Sequence, residues 1–335
     1  MQSDFLIGCT YNFSQSYEKL TPIQRFQAVR DCDVFDYINW LPPEAVIEDC
    51  IEASELTGLP MTTGNCSCQI GLDEERLLRN VRNAARVKMR MLNVMLKTYA
   101  VDGHEITDDE IINLYKRADE LGQSLGVKVS FEIHVDCWTE KYKRVTPIIR
   151  KMRAQGVDFA LTVDYSHVIF KINNFEQQDI SGVREDVAAR AIVLDPYEDG
   201  NLCQEWLSEG VVTFAQFRPV SPHNPINLWA QNPDGSAPRG IMYPFLRPGP
   251  GEWHSPWFAH ELAACKEAFR LVMRHHLSNS SSPLKYVITE MIPSADYGMN
   301  AKFSLLEHNA ACARWIRSEW NHLKSMHQAG LALKV

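Results

Sequence analysis

The chain has 335 residues, 34 Lys and Arg against 42 Asp and Glu, a formal charge of -8 and 45% apolar residues. That is the profile of a globular protein, and it excludes the disordered, collagen-like and low-complexity classes. An acidic chain without a basic block is a poor partner for phosphate backbones, so nucleic-acid binding is not expected.

The first residues, MQSDFLIGCTYNFSQ, show neither a positive leader nor a long apolar run, and no later stretch approaches a membrane span. A cytoplasmic protein that does not enter a membrane is expected. The nine cysteines are scattered, and Cys66 and Cys68 lack C-x-x-C spacing, so reduced thiols are expected.

The chain opens with a β-rich run at 5–11, after which Thr21 and Pro22 supply a capping hydroxyl and a first-turn proline. A second strand at 34–38 leads to a helix opened by Pro43 and stopped at Gly58, then to a third strand at 60–64. A helix over 73–88 precedes the fourth strand, 92–96. Thr107 and Glu110 have capping-box spacing; Ile111, Leu114, Ala118 and Leu121 form one apolar face, and Gly122 is the predicted stop. The fifth strand spans 127–135, a helix 147–155, the sixth strand 159–165, a helix 183–191 and the seventh strand 211–217. Helix 258–276, strand 286–291 and helix 305–322 complete the series.

Eight strands alternating with helices predict an α/β protein of the (β/α)8 TIM-barrel class. The expected organisation is one domain over 1–335, with a long insertion at 219–257 between strands seven and eight that serves as a lid or a partner surface. An open dinucleotide-binding sheet is disfavoured because neither G-x-G-x-x-G nor a P-loop occurs, and H-E-x-x-H and G-x-S-x-G are also absent.

In the fifth strand Val127, Val129, Phe131, Ile133 and Val135 share one face, and Lys128, Ser130, Glu132 and His134 the other. The polar set would line the barrel, with Glu132 and His134 near the C-terminal mouth where sites of this fold are built. Asp164, Gln216 and Glu290 fall at the ends of the next three strands, and His167 follows Asp164. Buried carboxylates need a cation. Glu132, Asp164, Gln216 and Glu290 form an oxygen-rich set suited to Mn2+ or Mg2+, with manganese preferred. Such an ion would polarise a sugar ketone, while His134 or one of the glutamates takes the neighbouring C-H proton. His167, Arg218, Trp253 and His254 are the candidate substrate contacts.

Phe131-Glu132-Ile133-His134, Val163-Asp164-Tyr165-Ser166-His167, Gln216 and Ile288-Thr289-Glu290, in that order, resemble the xylose isomerase-like TIM-barrel superfamily. The resemblance implies that Glu132, Asp164, Gln216 and Glu290 hold a divalent metal and that His167 contacts substrate or metal. Gln216 departs from the usual histidine. The Glu132-x-His134 pair and the long insertion are similar to the catalytic subunit of bacterial C-glycoside deglycosidases. That similarity implies β-elimination of a 3-oxo-C-glycoside with His134 as base, and a small β-rich partner subunit. The leading expectation is therefore a metal-dependent carbohydrate lyase. A keto-sugar isomerase or epimerase, with Glu132 and Glu290 exchanging protons, is the alternative. A non-catalytic scaffold barrel is the reading from another class, and an oligomer is expected.

Overall fold

The computed structural model describes residues 4–333, so the predicted domain's extreme ends, 1–3 and 334–335, lie outside the described residues. Eight parallel strands close into a barrel in chain order. They are β1 (Leu6–Thr10), β2 (Tyr37–Asn39), β3 (Met61–Cys68), β4 (Met91–Leu96), β5 (Lys128–Glu132), β6 (Leu161–Asp164), β7 (Val212–Phe217) and β8 (Tyr286–Thr289). β8 pairs with β1 through Leu6 opposite Tyr286, which shuts the sheet and removes its edges. The (β/α)8 expectation is met.

The helical layer comprises α1 (Pro22–Asp31), α2 (Ile47–Thr57), α3 (Glu74–Arg86), α4 (Asp108–Leu125), α5 (Tyr142–Ala154), α6 (Ser166–Ile169), α7 (Phe175–Ile180), α8 (Arg184–Ala188), α9 (Leu202–Ser208), α10 (Ala263–Ser278) and α11 (Leu305–Gln328). Thr21 and Thr107 both form complete capping boxes. No helix among the described residues is long and apolar enough to cross a membrane.

Several boundaries differ from the sequence expectation for identifiable reasons. α4 passes through Gly122 and ends at Gly126, whose φ of 75° gives the left-handed cap. Gly122 instead permits a close approach, since a Cβ there would lie 2.3 Å from the Val127 carbonyl oxygen, where the chain returns into β5. The expected helix 183–191 contracts to α8, while α7 and α9 carry their own Asn174 and Asn201 caps. α5 begins five residues before Pro147 and accommodates it internally. β5 stops at Glu132, which puts His134 on the connecting loop.

Outside the sheet, Phe131 meets Tyr115 of α4 at 5.2 Å, Trp138 at 6.0 Å and Phe159 at 6.1 Å between ring centroids. Inside it, Tyr37, Met91, Phe214 and Ile288 pack together, and the Ser130 and Thr162 hydroxyls lie 2.7 Å apart. The predicted division of strand faces between helices and barrel interior is thus observed.

The 219–257 segment has no helix or strand, yet it is firmly tied down. The Tyr243 amide donates to the Pro219 carbonyl at 2.9 Å, and Asn227 Nδ2 donates to the carbonyls of Tyr297 (3.0 Å) and Met299 (2.8 Å). The Phe245 amide donates to His308 Nδ1 at 3.1 Å, which requires an unprotonated nitrogen. Burial pushes His308 down to about 4. With the folded value below the unfolded one, its contribution is intact above about pH 6.5 and is lost as pH falls toward 4, the loss reaching about 2 kcal/mol at pH 5. Thermal unfolding of the wild type and His308→Gln at pH 7.5 and 5 should show a smaller acid-induced drop in the variant. Equal drops would contradict this tether.

Candidate active site at the barrel mouth

Sheet geometry explains why one set of polar side chains converges. Glu132 and Asp164 are the last residues of β5 and β6, Gln216 is the next-to-last of β7, and Glu290 directly follows β8. Asp164 is paired with Gln216 in the β6–β7 register, which sets their backbones side by side. Arg218 leaves β7 immediately after Phe217. Glu132, Asp164, His167, Gln216, Arg218 and Glu290 are all between 0% and 5% exposed, and His134 is partly exposed.

Short contacts join them. Asn93 Nδ2, on the neighbouring strand β4, donates to Glu132 Oε2. His134 and His167 lie with ring centroids 4.0 Å apart. His167 Nε2 is 3.4 Å from Asp164 Oδ2. Arg218 Nη2 approaches the same Asp164 oxygen at 3.1 Å and is ion-paired with Glu290 Oε2. The Ser166 amide and hydroxyl donate to the other Asp164 oxygen. The Arg218 guanidinium lies 3.9 Å from the Tyr297 ring centroid.

The electrostatics follow from crowding acids in a dry site. Burial, then the neighbouring Glu290 and Asp164, push Glu132 well above the usual carboxylate range. Burial raises Asp164 to about 6 against the opposing effect of Arg218. Loss of solvent pushes His134 down to about 3, and His167 is also held far below its ordinary value by burial, His134 and Arg218. The His134 Nδ1 lies 2.7 Å from the Val135 carbonyl, so Nδ1 carries the proton and Nε2 keeps its lone pair.

The donors fit a divalent cation. Gln216 Oε1 and both His167 ring nitrogens are buried without a hydrogen-bond partner, and Asp164 Oδ2 has only its ion-pair contacts with Arg218 and His167. Ligand atoms of Glu132, His134 and His167 all lie within 4.8 Å of one another. Oxygen with imidazole nitrogen is a normal set for a divalent ion. The sequence-predicted set has Asp164 and Glu290 as open ligands; here both face Arg218, and the two histidines stand nearer Glu132.

Trp253 and His254 sit elsewhere. Trp253 packs on Trp229, Tyr243 and Phe303, while His254 accepts from the Leu228 amide at 3.2 Å. No hydrogen bond or ring contact among the described residues ties either to the acid cluster. A separate cavity of about 370 Å³, lined by Phe13, Ser14, Gln15 and Phe303 among others, includes none of the seven mouth residues. Sequence reasoning misses Asn93 and Tyr297. Asn93 is detectable as the lone polar residue in the Met91–Leu96 run, whereas Tyr297 reaches Arg218 from an irregular segment without periodic signal.

No family model matches the chain, and no curated protein sequence does. Solved structures do match. L-ribulose 3-epimerase aligns with 98% of this chain and 99% of its own at TM-score 0.56 and 12% identity. A 3-keto-D-glucoside 4-epimerase from E. coli aligns over 94% and 100% at TM-score 0.52 and 13% identity. A xylose isomerase-like TIM-barrel protein from Mycobacterium smegmatis, in complex with magnesium, aligns over 94% and 96% at TM-score 0.53 and 11% identity. The chain therefore shares the closed-barrel fold of these proteins along almost its whole length.

Proposed function

We propose that this protein is a divalent-metal-dependent keto-sugar epimerase or isomerase. The carrying observation is the convergence of Glu132, Asp164, Gln216 and Glu290 with two neutral histidines at one buried mouth, including acceptors left without partners. The epimerase names of two structural neighbours and the magnesium of a third support the same chemistry.

Glu132, assisted by His134, His167, Gln216 and the acids released from Arg218, would hold the ion. When bound, it supplies Lewis-acid polarisation of the substrate's ketone and hydroxyl oxygens. Glu290 takes the proton from the carbon beside the ketone as the C-H electron pair moves to form the enediolate. For epimerisation Glu132 delivers a proton drawn from solvent to that carbon from the opposite side. For isomerisation the proton held by Glu290 goes to the former carbonyl carbon while the hydroxyl proton of the first carbon passes to the former ketone oxygen, so the carbonyl moves by one carbon. In this reading the 219–257 insertion acts as the lid that keeps bulk water from the enediolate.

The open Nε2 of His134 favours a second reading, in which His134 takes the proton and an aglycone departs from the adjacent carbon. A small β-rich partner subunit docking on the insertion belongs to that reading. The two are separated by turnover of Mn2+-loaded protein on ketohexoses and 3-keto-glycosides, followed by NMR. Intact epimerised or isomerised sugar is expected; release of aglycone alone would replace the first reading by the second.

A further inference from the structure

Arg218 stands where a cation is wanted. Its Nη2 is 3.1 Å from Asp164 Oδ2 and pairs with Glu290 Oε2, while Ser166 occupies the other Asp164 oxygen. Both oxygens of Asp164 are thus engaged by protein groups. Arg218 is 3% exposed, and its Nε and Nη1 have no hydrogen-bond partner. A buried guanidinium with two idle nitrogens is poorly compensated, and it is retained by the acid pair and by the face of Tyr297 at 3.9 Å. The idle donors of Arg218 and the idle acceptors Gln216 Oε1 and His167 lie in the same cluster without satisfying one another.

We propose that Arg218 is a built-in counter-cation of the Asp164–Glu290 pair that a divalent ion must displace, so that this side chain sets the metal affinity of the mouth. This rests on the metal-dependent reading above. Without the ion, the guanidinium neutralises two carboxylates that would otherwise repel each other in a dry site. An incoming ion competes with it for the same oxygens, so part of the binding free energy is spent on breaking charge-assisted hydrogen bonds.

The test is Mn2+ titration of metal-free wild type and Arg218→Gln, with free Mn2+ read by electron paramagnetic resonance and folding checked by circular dichroism. Loss of one charged contact predicts at least about tenfold tighter binding by the variant. Guanidinium chloride at a low, non-denaturing concentration, against equal sodium chloride, should weaken Mn2+ binding to the variant and leave the wild type unchanged. Tyr297→Leu, which keeps Arg218 but removes the ring beside it, should bind more tightly than wild type by a smaller factor, and it serves if Arg218→Gln does not fold. Equal or weaker affinity in the folded variants would overturn the role of Arg218 while leaving the metal site in place. No Mn2+ binding by any of these proteins would overturn the metal-dependent reading itself.

Discussion

Under the proposed function, Glu290→Gln is expected to lower kcat on a keto-sugar substrate by about 10²–10⁴-fold, the span of a lost general acid or base, with Glu132→Gln in the same range. The two should differ in stability. Glu132 is held well above the ordinary carboxylate range by burial and by its acid neighbours, so a neutral amide of the same shape removes little. Glu290 is paired with Arg218, and its loss leaves a buried guanidinium with one acid fewer. Thermal unfolding should therefore show Glu132→Gln near wild type and Glu290→Gln lowered. Steady-state kinetics with each variant provides the check, and wild-type turnover in both would remove the glutamates as proton carriers.

Phe131→Ala costs about 3–5 kcal/mol of stability, the usual range for truncating a buried aromatic residue. Its ring is 0% exposed and meets Tyr115, Trp138 and Phe159, so the lost volume lies between β5 and the helical layer where neighbours are already interlocked. Glu132 is the next residue on the strand, aimed to the opposite face. Denaturant unfolding measures the loss; a change below about 1 kcal/mol would mean that the site collapses freely around the cavity.

The barrel is legible in the sequence because each strand carries its own alternation. Val127, Val129 and Phe131 face the helices, while Ser130 and Glu132 face inward, as the period of two requires. The strand-end acids are legible for the same reason, since closure brings the ends of all parallel strands to one rim. Partnership across irregular backbone leaves no such periodic trace. Arg218 reads as a substrate contact in sequence, and its pairing with Asp164 and Glu290 depends on where β7 ends. Trp253 and His254 look like mouth residues because the loop is rich in aromatics, yet their contacts lie within the insertion and against Phe303. Gly122 looks like a helix stop because a glycine near a helix end has two explanations, a left-handed cap or a close approach, and only the folded chain distinguishes them.

In the proposed function, buried carboxylates at this mouth move a proton on and off a carbon beside a sugar ketone. The most direct measurement is incubation of the Mn2+-loaded wild type with ketohexoses and 3-keto-glucosides in deuterated water, with Glu290→Gln as control. Deuterium is expected at the carbon next to the ketone in an otherwise intact sugar, incorporated at least about 10²-fold more slowly by the variant. A folded, metal-loaded wild type that leaves every such C-H bond unexchanged would contradict it.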